Sequence, residues 1–160
     1  MPPHLVELMG IEVVQVPIDT TGAAISSDWL SLKNYAHATI VISQGAWAGG
    51  TPAVTLAQAK DVAGTSEKAL AFTKRWDKVA VSGTTFVQQT VTSNTFNLAN
   101  TANTINVIEV EAAELDTDGG FNTIQVEVAS PGSNADLICI IVILSGARYP
   151  QAVMSDAKVD

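Results

Sequence analysis

The longest apolar stretch of the chain covers residues 137–144, and five of its eight residues are Val or Ile. Such β-branched side chains favour strands over helices. No polar residue interrupts the stretch, so we expect both faces of this strand to be buried. The stretch is far shorter than the roughly 20 residues that span a membrane. The pattern therefore predicts the central strand of a packed β-domain, which ends at Gly146.

Residues 11–18 predict a first strand in which apolar and polar positions partly alternate. The period of two places Val14, Val16 and Ile18 on one face. Pro17 has no backbone N–H to donate to a neighbouring strand. We therefore expect this strand to lie at the edge of a sheet.

The remaining apolar segments are short, and residues typical of turns separate them about every 8–12 residues, the spacing of a sandwich or barrel. Residues 112–115 are compatible with one helical turn, and residues 28–35 with either a short helical turn or a strand that begins at Trp29. No long helix is predicted. Strands are expected at 38–43, 53–58, 68–73, 86–92, 95–98, 104–111 and 122–129.

Together these segments predict an all-β fold: a jelly-roll-like β-sandwich of 8–10 short antiparallel strands. We expect one sandwich domain over residues 11–149. Residues 1–10, which include two consecutive prolines, predict an extended N-terminal arm. Residues 150–160 predict a flexible acidic tail.

Composition narrows the classes of partner. The chain has a net charge of −8, so phosphate repulsion opposes nucleic-acid binding and anionic membrane surfaces are disfavoured. Hydrophobic residues make up 47% and charged residues 15%, which excludes a largely disordered chain. Cys139 is the only cysteine, so no intrachain disulfide can form. The N-terminus lacks the pattern of a signal peptide, which favours synthesis and retention in a cytosol.

Candidates for catalysis or metal binding are few. The residues of a Ser–His–Asp triad meet in space, so their spacing in the sequence does not exclude a triad. Only His4 and His37 could act as its base. One cysteine and two distant histidines do not supply a zinc site, and no glycine-rich segment has phosphate-loop or dinucleotide spacing. We therefore expect no enzymatic activity, no metal and no cofactor.

Acidic side chains cluster between residues 109 and 118. The alternating carboxylates of Asp116 and Asp118 before two glycines resemble the start of a calcium loop, but a turn is the favoured interpretation. Glu109, Glu111 and Glu114 could supply a glycosidase pair, but only Phe121 lies near them in sequence as a platform for a sugar. A solvated strand face is the favoured interpretation of these glutamates.

The best candidates for protein contact are aromatic. Trp29, Trp47 and Trp76 all lie beside predicted loops or strand ends, and tryptophan is enriched at binding hot spots. We select Trp47, whose small neighbours leave it little to pack on, and Trp76. Arg148 and Tyr149, which emerge where the central strand ends, complete the set.

Four segments resemble sequences of small structural proteins of tailed bacteriophages. They are residues 35–65, residues 92–96, residues 107–116, and residues 130–136 together with 144–149. They cover most of residues 35–149 and are similar to capsid cement or head-decoration proteins, which have jelly-roll-like folds. The resemblance carries over no catalytic residue.

The resemblance implies a virion protein on the outer surface of a capsid, made in the cytoplasm of a host bacterium. Its expected partners are the major capsid protein and further copies of itself, as a dimer or trimer. A protein that binds only the assembled shell stabilises that shell by mass action. The alternatives are a tail or head–tail junction protein, or a carbohydrate-binding adhesion module in which Trp47 or Trp76 lines a groove.

Overall fold

The computed structural model describes residues 5–79, 83, 85–148 and 157–158. Within these ranges nearly all regular structure is β-strand, as the β-branched composition predicts. One short helix, α1 (Leu5–Leu8), precedes the strands, and one 3-10 turn (Ala112–Glu114) follows β10. The strands are β1 Gly10–Asp19, β2 Ile25–Ser26, β3 Leu30–Ser31, β4 His37–Trp47, β5 Ala53–Ala59, β6 Lys68–Ala69, β7 Lys74–Lys78, β8 Val87–Thr90, β9 Thr95–Asn97, β10 Ile105–Glu111, β11 Thr123–Val128 and β12 Asp136–Ser145.

The strands form two antiparallel sheets that pack face to face. The first has the order β1-β12-β4-β10-β7-β8, and the second has the order β2-β11-β5-β6, with β3 beside β11 and β9 beside β5. Eight strands, taken in chain order, trace the main path: β1, β2, β4, β5, β9, β10, β11 and β12. Successive strands of this path lie in different sheets, except β5 and β9, which both lie in the second sheet. This is the path of a jelly roll, in which two Greek keys form two sheets. The predicted all-β, jelly-roll-like sandwich is confirmed, but the described residues form twelve strands instead of the expected 8–10, because several strands have only two or three residues.

The core lies between the two sheets and follows the alternation of the strands. In β11, Ile124, Val126 and Val128 point inward and are buried, while Glu127 is exposed, as predicted. Ile40 and Ile42 of β4 meet them from the other sheet within one apolar cluster. The alternation therefore determines which face of each strand enters the core.

Strand β12 lies between β1 and β4, but the prediction that both its faces are buried is wrong. Ile138, Ile140, Val142 and Leu144 are almost fully buried, whereas the residues between them are only partly covered, and Leu137 is 41% exposed. The stretch has no polar interruption because its outward side chains are apolar as well. As predicted, the strand ends just before Gly146.

Strand β1 occupies a sheet edge, as Pro17 predicts, but its face assignment is wrong. Val14 is buried, whereas Val16 is 61% exposed and Ile18 is 39% exposed. Two register shifts against β12, between Val13 and Gln15 and between Gln15 and Ile18, break the period of two. Such bulges add an unpaired residue, which moves the following side chains to the opposite face.

The hairpin of β7 and β8 extends the first sheet beyond β10. A polar network attaches it: Asn106 donates to Gln44 Oε1 (3.0 Å) and accepts from Arg75 (3.1 Å). Arg75 also pairs with Asp77 and lies 4.4 Å from the centre of the Phe96 ring. Burial raises the pKa of the Asp77 carboxyl, and Arg75 opposes that rise. Each buried polar group of this network thus gains a partner, as buried polar groups require.

Both predicted terminal segments differ from expectation where the structure describes them. Residues 5–8 form a helical turn instead of an extended arm, closed by the Met9 N–H donating to the Leu5 carbonyl (3.0 Å). In the predicted flexible tail, Ala157 is buried and its carbonyl accepts from the Ser31 N–H (2.7 Å). Lys158 reaches the Val13 carbonyl (3.1 Å), so residues 157–158 pack on the domain.

The structure decides the conformation of the two segments for which the sequence allowed a short helical turn. The segment after Trp29 is a strand, because Leu30 and Ser31 pair with β11. Residues 112–114 form the expected helical turn, as a 3-10 helix. Within the described ranges, no helix combines the length and apolar character needed to cross a bilayer.

Candidate interaction surface

The first sheet presents an apolar surface to solvent on the side opposite the core. We call the outward-facing side chains of β1, β12, β4, β10 and β7 the outer face. The cross-strand register places five of them in one continuous row across the five strands. In antiparallel sheets such directly opposed side chains touch one another. From the β1 edge the row runs Val13, Ile141, Val41, Val107 and Trp76.

Two further rows flank this middle row. On one side Ile11 opposes Ile143, followed by Thr39 and Glu109. On the other side Cys139 opposes Ser43, followed by Ile105 and Lys78. Ile11 and Val13 are each 45% exposed, and the more central side chains are half-buried by one another. A contiguous apolar surface of this kind marks an interaction site more often than a solvated face.

The outward surface of the second sheet is polar by contrast. Its central strands present Thr55, Gln125 and Glu127, and Glu127 accepts a hydrogen bond from Ser26 (3.0 Å). Both sheets contribute apolar side chains to the shared core. The difference between their outward surfaces therefore does not follow from packing within the domain.

One end of the outer face carries a hydrogen-bonded cluster around His37. Its Nδ1 lies 3.2 Å from Ser145 Oγ, and its Nε2 lies 2.7 Å from Glu109 Oε2, which also accepts from Thr39 (2.9 Å). Glu111, opposite His37 in the register, lies 4.0 Å from Nε2. The structure thus brings together a serine, a histidine and a carboxylate that are distant in sequence. The cluster ties β12, β4 and β10 together.

A shallow depression lies beside Trp76 at the other side of the outer face. Its volume is about 230 Å³, and it is lined by Trp76, Phe86, Val107 and Glu109. Phe86 is 50% exposed. The depression offers two aromatic rings and one carboxylate to a ligand.

The four side chains predicted to contact a partner do not form one site. Trp76 lies on the outer face, whereas Trp47 turns toward the core and donates its indole N–H to the Gly50 carbonyl (3.2 Å). A register shift between β12 and β4 just before Trp47 turns its side chain inward. Arg148 is exposed beyond the opposite end of β12, and Tyr149 lies outside the described residues.

The central side chains of the outer face were not among the predicted contact residues. Val41, Val107 and Ile141 belong to segments that were predicted only as strands, and the stretch with Ile141 was expected to be buried on both faces. The uninterrupted apolar stretch 137–144 was itself the signal, because a strand with one solvated face normally alternates.

A buried carboxylate fixes the loop after Trp47. Asp136 is fully buried, and its Oδ1 accepts from the N–H groups of Ala48 (2.7 Å) and Gly49 (3.2 Å). Its carbonyl accepts from both the N–H and the hydroxyl of Thr20 (3.0 Å each). Oδ2 has no hydrogen-bond partner. Asp136 therefore joins the start of β12 to the loops that follow β1 and β4.

The Asp116 turn is closed by its own protein contacts. Asp116 pairs with Lys68 and accepts from the Gly119 N–H (2.9 Å), and Lys68 lies 4.0 Å from the centre of the Phe121 ring. The Lys68 ammonium, by its hydrogen bond, holds the pKa of Asp116 below its usual value, and the Gly119 N–H adds to this effect. Across residues 5–79, 83, 85–148 and 157–158, no three His, Cys, Asp or Glu side chains converge as a metal site.

Comparisons with known proteins support the fold assignment. No protein-family model matches the sequence, and no curated protein matches it. The fold resembles the crystal structure of the SPBc2 prophage-derived protein YomS, with a TM-score of 0.51 and 12% identity over 86% of this chain and 93% of that one. A chain in the structure of infectious bursal disease virus Gx strain aligns with a TM-score of 0.34 and 12% identity, over 91% of this chain and 34% of that one, a score too low to carry an argument. The fold is thus shared with a prophage-derived protein.

Proposed function

We propose that this protein is a non-enzymatic structural protein of a bacteriophage virion, which binds the outside of the capsid and stabilises the head. The observation that carries the proposal is the surface of the domain. Its outer face suits contact with a further copy of the chain, and helix α1 leaves three apolar side chains uncovered for contact with the shell. The jelly-roll likeness to a prophage-derived protein and the sequence resemblance to cement proteins agree with this role.

Helix α1 is the segment that we assign to contact with the shell. Leu5, Val6 and Leu8 are 54%, 65% and 49% exposed, and none of the residues of the helix is buried. Three apolar side chains on one turn present a compact anchor that the domain itself leaves uncovered. Repetition of a modest contact over many symmetry-related sites would then produce large stabilisation of the shell.

The test compares heads that carry the protein with heads from which its gene has been deleted. We expect deleted heads to break open at a lower temperature, and cryo-electron microscopy to show density for the domain on the outer surface. Purified wild-type protein added back should restore the stability. Equal thermal stability with and without the protein would refute a cementing role. A low copy number at the tail or neck would instead support the junction alternative.

A variant test addresses the contact itself. Leu5→Ser/Leu8→Ser removes two exposed apolar side chains without touching the core. We expect it to lose co-sedimentation with heads, whereas Val87→Ser, which removes another exposed apolar side chain, should bind normally. Equal binding by all three proteins would exclude helix α1 as the anchor.

A second candidate function, carbohydrate binding, rests on the depression beside Trp76. Aromatic rings beside a carboxylate suit the apolar face and hydroxyl groups of a sugar ring. This function predicts glycan binding that Trp76→Ala abolishes and Trp47→Phe leaves intact. Failure to bind any member of a bacterial surface-glycan panel would remove this candidate.

A further inference from the structure

We propose that the outer face of the six-stranded sheet packs against the same face of a second copy of this chain, forming a two-fold symmetric dimer. The five-strand apolar row from Val13 to Trp76 forms the centre of this interface. The proposal does not depend on the capsid role, because it concerns only self-association.

The shape of the face suits a second copy. Two sheets with the same twist pack with their strands aligned to within about 30° and at a separation of about 10 Å. A sheet is therefore complementary to a copy of itself, whereas a curved shell surface would have to supply a matching twist. Face-to-face packing of this kind would turn two sandwiches into one four-layered assembly.

The extent of the face also suits a dimer. From the strand and residue spacings, the three rows cover about 25 Å by 20 Å, so two copies would bury roughly 1,000 Å² in total. This value reaches the lower bound of specific interfaces and exceeds that of ordinary crystal contacts. The second sheet, with its polar outward surface, offers no comparable area.

The register assigns a specific symmetry axis. The two-fold axis runs parallel to the strands and lies midway between the two copies, level with the gap between β4 and β10. It superposes all six strands of one sheet on the six of the other. It places Val107 over Val41 of the other copy, and Trp76 over Ile141. In the middle row, the four side chains nearest the axis therefore meet apolar side chains of the other copy, while Val13 at the edge lies over Gln88 of β8.

The charged side chains of the outer face are compatible with this axis, although each copy carries a net charge of −8. The middle row contains no charged side chain, and Glu109 is bonded to His37 and Thr39 within its own copy. At the end of the face, the axis places Glu111 over His37 of the other copy, and the converse pair forms by symmetry. The central contact therefore buries no unpaired carboxylate, whose desolvation would oppose association.

The experiment is sedimentation of the purified full chain, with a matched pair of variants. Val41→Lys introduces a charge at the middle of the outer face, and Thr55→Lys introduces the same charge at a half-buried, β-branched, outward position of the second sheet. We expect a dimer for the wild type and Thr55→Lys, and a monomer for Val41→Lys. The double variant Val41→Thr/Val107→Thr keeps the shape of the side chains and should raise the dimer dissociation constant tenfold or more.

Cys139 supplies a second readout, because it lies on the outer face and is half-exposed in the single chain. We expect its reaction with a maleimide to slow as the protein concentration rises, and to become independent of concentration in Val41→Lys. Circular dichroism verifies that each variant keeps its sheet content.

Three results would overturn the proposal. One is a monomeric wild type at roughly 100 µM, well above the micromolar dissociation constants at the weak end for protein interfaces. Another is a dimer whose stability and Cys139 reactivity do not respond to Val41→Lys or to the double threonine variant. The third is a monomer whose binding to phage heads is abolished by Val41→Lys, which would assign the face to the shell. A dimer that fails to bind heads would contradict the capsid role alone.

Discussion

Removing the Asp136 carboxylate should destabilise the domain by an amount that its contacts determine. In Asp136→Ala, the N–H groups of Ala48 and Gly49 lose their acceptor at 2.7 and 3.2 Å. Hydrogen bonds to a charged acceptor contribute roughly 1.5–3 kcal/mol each. Part of this contribution is offset in the wild type, because the carboxylate is fully buried and its Oδ2 has no partner.

We therefore expect Asp136→Ala to lower the free energy of unfolding by about 3 kcal/mol, a large part of the roughly 5–15 kcal/mol typical of a domain. Because about 1 kcal/mol shifts the melting temperature of a domain this size by roughly 2–4 °C, the Tm should fall by about 6–12 °C. Asp136→Asn keeps an acceptor oxygen for both N–H groups but leaves its amide group without a partner. It should lie between the wild type and Asp136→Ala.

The assay is urea unfolding followed by tryptophan fluorescence, since Trp47 lies directly before the loop that Asp136 holds. Asp118→Ala is the control, because this aspartate is exposed on a turn. It should change the free energy of unfolding by less than about 0.5 kcal/mol. If Asp136→Ala were as stable as the wild type, the two hydrogen bonds would not be a net source of stability. If Asp136→Asn were as unstable as Asp136→Ala, the negative charge and not the acceptor geometry would be responsible.

Three further predictions concern other parts of the domain. Gly146→Ala should lower the free energy of unfolding by more than the roughly 1–2 kcal/mol of a left-handed backbone, because φ is +64° and the new Cβ would lie 2.9 Å from Ala36 Cβ. Gly132→Ala (φ +77°, no atom within 4 Å) is the matched control, and an equal loss in both would exclude the steric contact. Asp116→Asn should lower the Tm at pH 7, and by progressively less as the pH falls below about 3.9, because a carboxyl whose folded pKa is lowered contributes its full stability above the unfolded value and loses it as the pH falls through the folded pKa. Fluorophosphonate should not label Ser145, because this serine lies in a paired strand, where backbone N–H groups are not free to form an oxyanion hole; labelling that Ser145→Ala removes would contradict a non-enzymatic role.

The period of two determined much of the fold from the sequence. Residues 122–129 alternate cleanly, and β11 buries Ile124, Val126 and Val128 as predicted. Pro17 correctly placed β1 at an edge, because a missing N–H is a local property of the chain. Where a register shift interrupts the ladder, as at Val16, the same period gave the wrong face, and a second shift turned Trp47 inward although its small neighbours had suggested an exposed side chain. Bulges arise from pairing between distant strands, which local pattern does not encode.

The candidate surface was less accessible to sequence reasoning. Val41, Val107 and Ile141 come from three segments, and only the strand order places them in one row. The contacts of His37 with Ser145 and Glu109 depend on the same order. The apolar stretch 137–144 forms an interior strand beside the edge strand β1, not the central one that was predicted, and one face of it is not covered by the domain itself. A sequence pattern indicates which side chains avoid water without indicating what covers them.

The position of β12 has a consequence for how the protein is made. This strand emerges from the ribosome after β1 to β11, yet it lies between β1 and β4. Until it is synthesised, β1 has no neighbour in its sheet and one edge of β4 stays unpaired. Contacts between such distant segments form slowly, and unpaired strand edges promote aggregation in the meantime. A chain that stops before residue 136 should accumulate as an aggregate, and chaperones that shield nascent strands should increase the yield of the complete domain.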